Sequence, residues 1–316
     1  MNWAQSMLGA AGPHAGGVER LWWLFFWVSA AVYTAVLIAT FLAVFHHRRP
    51  AGPQDPAHSH RAGQAIAVAT GISLVLLFVL LISSVQTGRY SIQGLADPSH
   101  VNISVTGQQW WWQVKYESAT ASQTFVTANE IHIPTGRPVL LKLQSRDVIH
   151  SFWVPSLSGK KDLLPGHENE LWIQADREGV YRGQCAEFCG HQHAHMGLVV
   201  IAESPGKYNR WLEAQRRPAA EPLDETARRG RDVFLSGPCV MCHSIRGTGA
   251  GGRTAPDLTH LGSRLTLAAA TVPNTPGHLA GWIADAQGIK PGNRMPTMAI
   301  NAEDLQALVK YLQALK

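Results

Sequence analysis

Two long stretches without charge limit what this 316-residue chain can become. From Leu21 to Phe45, and again from Ala62 to Val85, no Asp, Glu, Lys or Arg occurs. At ~1.5 Å per helical residue, each run is long enough to cross the ~30 Å hydrocarbon core of a bilayer. Lipid offers the backbone no hydrogen-bond partners, so both runs read as helices. A cleaved secretory leader is the rival for the first run, but the run is too long for a leader's apolar region and has no basic n-region. Two buried core helices are the rival for the pair, and such helices would carry polar faces. The connecting segment has Arg48, Arg49 and Arg61 against Asp55 alone. By the positive-inside rule it is cytoplasmic, and both termini lie outside. The expected plan is an N-terminal segment (1–20), a transmembrane hairpin (21–90, spans 21–45 and 62–85) and a large extracytoplasmic portion.

Beyond the spans, chemistry concentrates in Cys185-Ala-Glu-Phe-Cys-Gly-His-Gln-His-Ala-His-Met196. Soft sulfur ligands with imidazole select copper or zinc, and the thioether of Met196 favours copper. A single-copper blue site uses one thiolate, whereas Cys185 and Cys189 supply two. The pattern therefore reads as two coppers bridged by both sulfurs. His193 serves one, and His150, in Asp147-Val-Ile-His-Ser-Phe-Trp-Val-Pro155, serves the other. Zinc is one alternative. A Cys185–Cys189 disulfide is another, and it leaves His193 and Met196 without a role.

A second motif, Cys239-Val-Met-Cys242-His243, is the attachment pattern of c-type haem. Two thiols add to the haem vinyl groups and the adjacent histidine reaches the iron. A low-spin carrier needs a sixth ligand, and Met295, in Lys290-Pro-Gly-Asn-Arg-Met-Pro296, supplies it, with Met298 as rival. A bare CxxCH also occurs in thioredoxin-like chains and as half a zinc site. If both motifs hold cofactors, none of the four cysteines is left for a structural disulfide.

Cys185-x-Glu187-x-Cys189-Gly190-x-x-His193-x-x-Met196, with Asp147-Val-x-His150, closely resembles the CuA domain of cytochrome c oxidase subunit II, over roughly residues 20–205. The resemblance implies an all-β cupredoxin Greek-key barrel at 91–205. In it His150, Cys185, the Glu187 carbonyl, Cys189, His193 and Met196 would hold dinuclear CuA. It further implies that the Glu187 side chain helps bind a magnesium ion at the boundary with subunit I. Trp110, first of the Trp110-Trp111-Trp112 run, would lie over the copper and admit electrons from cytochrome c. The plainer reading makes Trp110 and Trp112 alternate core positions. His191 and His195 read as solvent-facing, and Asp147 as a docking or hydrogen-bonding residue without a ligand role. Met295-Pro296 after a loop resembles the class I cytochromes c, and so does Ala255-Pro-Asp-Leu258, in which the Pro256 carbonyl would hold the His243 ring.

Short segments of β character agree with a sandwich or barrel: 101–105, 110–116, 124–133, 139–144, 167–173 and 196–202, separated by turn residues. A helical stretch at 208–217 leads through Pro218-Ala-Ala-Glu-Pro222, so 206–222 reads as a linker. Helices are expected at 225–235, 275–286 and 302–315, giving an all-α class I cytochrome c domain at 223–316. The net charge of +5 is too small to argue for nucleic acid. Residues 90–205 carry 8 Lys and Arg against 11 Asp and Glu, while 223–316 carry 10 against 7. Opposite balances predict docking of the haem domain near Trp110, weakened by salt.

The resemblance implies the electron-entry subunit of a haem–copper terminal oxidase, a proton-translocating oxidoreductase of a bacterial cell membrane. Electrons would pass from a soluble or membrane-bound cytochrome c through haem c and CuA to subunit I, which reduces oxygen to water beside further membrane subunits. This chain has no array of intramembrane histidines, so the oxygen site belongs to another chain. The CuA-bearing subunit of a nitric oxide reductase and a copper-binding assembly protein are the alternatives. One departure stands out: Gln64 sits roughly where the family carries an acid that feeds a proton pathway, and no Asp or Glu occurs between Asp55 and Asp97. Proton uptake through this subunit is thereby put in doubt, and a different catalytic partner stays open.

Overall fold

The computed structural model describes residues 5–46, 56–93 and 101–316. They form two units, one of residues 16–93 and one combining the N-terminal 15 residues with 94–316. In the first, the apolar runs are helical: α1 (Pro13–His46) and α2 (Pro56–Gln93). Both contain windows long and apolar enough to cross a membrane, over Pro13–Phe45 and Ser59–Tyr90. The basic residues Arg48 and Arg49 lie outside the described residues.

The second unit opens with a two-sheet sandwich. One sheet is built from β1 (Val101–Gln108), β2 (Trp111–Tyr116), β3 (Phe125–Ala128), β5 (Val139–Ser145) and β8 (Asn169–Ile173) in the order β3-β2-β1-β5-β8. The other contains β4 (Glu130–Pro134), β6 (His150–Trp153), β7 (Lys161–Leu163), β9 (Gly179–Cys185) and β10 (Gly197–Glu203) in the order β4-β10-β9-β6-β7. Parallel pairing of β1 with β5 and of β10 with β4 requires crossovers, as in the cupredoxin topology that the sequence implies. The inward faces alternate in the period of two that strands dictate. Ile103, Val105, Trp112, Val114, Ile131, Ile133, Leu141, Leu143, Phe152, Leu198 and Val200 close one core.

Three strands escaped the sequence reading, β6, β7 and β9, and the stretch 124–133 is two strands rather than one. Asn129 divides it. Its backbone sits in the left-handed region at φ 64, which Asn tolerates better than most residues. Its side-chain oxygen accepts from the Trp112 N–H at 2.9 Å and its carbonyl from Val199 N at 3.0 Å, so it hands the chain from one sheet to the other. The N-terminal segment, which had no assigned role, packs on the sandwich: Ala11 N donates to Ser156 O, and Asp176 N to Ala11 O.

The expected linker 206–222 is helical over much of its length. Helix α3 (Pro205–Arg216) lies on the sandwich, with the Trp211 indole stacked on His132 at 4.0 Å. Next come α4 (Glu225–Ser236), a two-stranded ribbon of β11 (Thr266–Leu267) and β12 (Val272–Pro273), α5 (Pro276–Ala284), α6 (Ala286–Ile289) and α7 (Ala302–Ala314). Side chains of Asp224, Thr275 and Asn301 cap α4, α5 and α7 by accepting the free N–H groups of the first turn. At Gly230 a Cβ would fall 1.9 Å from Ala307 O, so only glycine permits this crossing of α4 and α7.

Candidate metal and haem centres

The first site forms where β6 begins, β9 ends and β10 begins. Register fixes it: Phe152 pairs with Cys185, and Gly197 with Gln184. His150 and the Cys185–Met196 loop therefore converge at one end of the sandwich. The two Sγ atoms lie 3.7 Å apart. A disulfide needs about 2.05 Å, so the cysteines are free thiols. His150 Nδ1 is 3.9 Å from Cys185 Sγ, and His193 Nδ1 is 3.6 Å from Cys189 Sγ. Met196 Sδ lies 3.8 Å from Cys189 Sγ, and the Glu187 carbonyl oxygen 3.2 Å from Cys185 Sγ.

These separations suit metal at about 2.3 Å from sulfur and about 2.0–2.1 Å from nitrogen. Donors on one ion then fall within about 4.4 Å of each other, as each neighbouring pair here does. His150, Cys185 and Cys189 are all buried. The chain thus brings together all six donors expected from the sequence. Both flanking histidines, His191 and His195, are exposed as expected. The Glu187 carboxylate turns outward to Lys160 Nζ at 3.5 Å.

Positioning groups surround the donors. Asp147 Oδ1 is 2.8 Å from His150 Nε2, so the N–H there donates to carboxylate and Nδ1 faces the sulfurs. Asp147 Oδ2 accepts from Gln109 N at 2.8 Å. Gly107 has a steric reason to be glycine, because a Cβ there would meet His150 Cδ2 at 2.9 Å. Trp112 is core, whereas Trp110 is half-buried and its Nε1–H donates to Cys189 O at 3.0 Å. Trp112 thus fits the core reading, while Trp110 packs against the edge of the same core beside Cys189.

Electrostatics at the thiols have a clear sign. The hydrogen bond from Cys189 holds the Cys185 thiol well below its usual range, helped by His150, and this outweighs burial. The same bond, with burial and the neighbouring thiolate charge, pushes Cys189 up. Burial opposes a charge on His150, but Cys185 and Asp147 outweigh it and raise its pKa. The metal-free pair thus retains a proton that a metal must displace. Copper affinity is expected to rise with pH through neutrality, with at least one proton released per site loaded. Adding copper in weak buffer with a pH indicator measures this, and no acidification would contradict the shared-proton geometry.

The second site lies in the helical portion. His243 Nδ1–H donates to Pro256 O at 2.7 Å, which leaves Nε2 free as a ligand. Burial lowers the His243 pKa and favours the neutral ligand form. Cys239 and Cys242 precede it in one turn, closed by His243 N to Cys239 O at 2.9 Å. Met295 and Met298 are both half-buried, but their backbones are held differently. Met295 N donates to Asn293 Oδ1 and its carbonyl accepts from Gln287 Nε2, both at 2.7 Å. Met298 has a single backbone bond, from its N to Ala284 O at 3.3 Å.

The stretches that carry the two sites are similar to known proteins. Residues 101–203 match the family model for the periplasmic domain of cytochrome c oxidase subunit II, and 227–316 that for cytochrome c. The chain is 35% identical to cytochrome c oxidase subunit 2 of Alkalihalophilus pseudofirmus over 98% of its length and 90% of that protein. It is 30% identical to cytochrome c oxidase subunit 2 of Bacillus sp. strain PS3, over 78% of this chain and 73% of the relative. The crystal structure of the periplasmic domain of subunit II of cytochrome oxidase of Bradyrhizobium japonicum aligns with a TM-score of 0.35 and 28% identity, covering 37% of this chain and 93% of that one.

Proposed function

Since the chain belongs to the cytochrome c oxidase subunit II family and is a subunit of a haem–copper oxidase, we propose that it carries electrons from a cytochrome c through its own haem c and a dinuclear CuA centre to subunit I. The observation that carries this reading is the pair of buried free sulfurs 3.7 Å apart, each with its own imidazole. When bound, the copper pair supplies a one-electron carrier whose charge is shared through two thiolates. Around it the protein fixes distances: Asp147 sets the His150 ring, and Gln109 and Trp110 hold the Cys189 carbonyl. In the haem domain Cys239 and Cys242 would make the thioether bonds, with His243 and Met295 as axial ligands. The Glu187 carboxylate, which faces outward and lies 3.5 Å from Lys160 Nζ, would help hold magnesium against subunit I. Trp110, bonded to the Cys189 carbonyl, is the entry residue.

The chain is a membrane protein with two spanning helices, and the reading places both termini and both metal domains on the outer face of a bacterial cell membrane. Packing of residues 5–15 against the sandwich supports an N-terminus on the same side. Flash reduction of the haem followed by its reoxidation in the purified chain tests the route. First-order reoxidation with bleaching of a near-infrared copper band is expected, and second-order kinetics would sink the internal route. Oxygen rather than nitric oxide should be the acceptor consumed by the whole complex.

An axial thioether raises haem potential. Met295→Ala is therefore expected to lower the potential, and Met298→Ala to leave it nearly unchanged, both read by redox titration. The opposite pattern would move the axial role to Met298.

A further inference from the structure

One exposed ion pair, Arg294 with Asp147 at 4.0 Å, crosses from the haem domain to the copper domain, but the closer contacts are buried. Lys290, 2% exposed, comes from the loop that ends at Met295, and its ammonium reaches the opposite domain. Nζ donates to Trp110 O at 2.8 Å, His195 O at 2.7 Å and Ala268 O at 3.0 Å. The three acceptors match the three N–H donors of an ammonium, although burial pulls the Lys290 pKa down to about 7. Two of the acceptors belong to the copper domain, one at the entry tryptophan and one between His193 and Met196.

Neighbouring contacts follow the same line. Gln192 Nε2 donates to Pro291 O at 2.8 Å, and Gly197 N to Ala269 O at 3.0 Å. The residues on both sides of Met196 are thus bonded to the haem domain. Ala268, Ala269 and Ala270 hold φ values of 55, 59 and 57, a left-handed run that non-glycine residues rarely adopt. That conformation persists only where surroundings over-determine it, and here each carbonyl has a purpose. Ala268 O takes Lys290, Ala269 O takes Gly197 N, and Ala270 O takes Arg182 Nη1 at 3.1 Å.

We propose that Lys290 is a positioning residue for electron transfer: its ammonium ties the haem-ligand loop to the His193–Met196 turn and holds the two cofactors in one geometry. The inference rests on the haem-to-copper reading above. Its consequence is a transfer step that needs no docking search and depends little on salt, since buried contacts are screened far less than exposed ones.

The test uses the full-length chain carrying both cofactors, with Lys290→Met, which keeps the stem and removes the three donors. The haem bands and the near-infrared copper band should remain. The first-order reoxidation rate should fall about tenfold, equivalent to ~1.4 kcal/mol of docking, and become sensitive to salt between 0.1 and 1 M. Amide exchange at Gly197 should accelerate in the same variant, a readout independent of turnover. Gln192→Glu, which turns the donor to Pro291 O into an acceptor, attacks the same contact from the copper side and should slow the rate in the same sense. It decides the matter if Lys290→Met fails to load haem. A rate within twofold of the original in the loaded variants, with Gly197 still protected, would overturn the role of Lys290. Second-order reoxidation in the unmodified chain would instead overturn the haem-to-copper reading itself.

Discussion

Replacing Cys185 or Cys189 by serine is expected to strip the chain of copper, while His191→Ala leaves it loaded. The asymmetry follows from geometry. The two sulfurs are the buried centre of the donor set, each within 4 Å of the other and of an imidazole nitrogen. A serine hydroxyl is a hard donor that stays protonated at neutral pH, so it replaces neither the charge nor the softness of thiolate. Either change would also remove one of the two sulfurs that the proposed dinuclear centre shares. His191 is exposed and stands outside the cluster despite lying two residues from His193. Between these extremes lies Asp147→Asn, which keeps every ligand but weakens the acceptor that orients His150. Loss of such an outer partner typically costs roughly 10–100-fold in metal affinity. Copper quantitation on the full-length variants distinguishes the three grades. Two coppers retained in Cys189→Ser would exclude the bis-thiolate arrangement.

Much of this was legible because the donors are local in sequence. Five of the six candidate copper ligands fall between Cys185 and Met196, and a spacing pattern suffices to find them. His150 could be found because a dinuclear site demands a second imidazole. The strands that carry the site were harder to see. β9 contains Gly179 and Gly183, which read as turn residues. In the fold Gly183 is required because a Cβ would meet Trp153 O at 2.8 Å. β6 is four residues long and ends near a proline, too short for alternation to register. Least legible was the seam between the domains. Its partners are separated by up to 180 residues, and no periodicity links Lys290 to Trp110. The opposite charge balances did point to docking near Trp110. They suggested long-range attraction between exposed surfaces, however, whereas the seam, apart from the exposed Arg294–Asp147 pair, is made largely by buried groups bonded to backbone.

Glu130 shows how much that seam should contribute. It is 4% exposed on β4, and its Oε1 accepts from Leu265 N at 2.7 Å, Thr266 N at 2.9 Å and Thr266 Oγ1 at 3.2 Å. Arg264, alongside, bonds Thr127 Oγ1 on β3 at 3.2 Å. Truncation by Glu130→Ala leaves two backbone N–H groups of the haem domain without an acceptor and removes a compensating charge near Arg264. Each orphaned donor costs about 1–3 kcal/mol, and breaking a buried charged group from its partners typically costs about 3–5 kcal/mol. Glu130→Gln keeps Oε1 as acceptor and should lose far less. Burial pushes the Glu130 carboxyl up, against the opposing influence of His132, Arg264 and the two N–H donors. The folded chain therefore binds this proton more readily than the unfolded one. This group's contribution to folding stability grows as pH falls from the raised value towards the ordinary carboxylate range, and a proton on Oε2 disturbs none of the three bonds. Differential scanning calorimetry of the full-length chain gives the outcome. The Ala variant should melt in two steps, with the haem domain released first and amide exchange at Thr266 accelerated, while the Gln variant keeps the original transition. If Glu130→Ala melts as the unmodified chain does, the seam is held elsewhere and the domains are not coupled through β4.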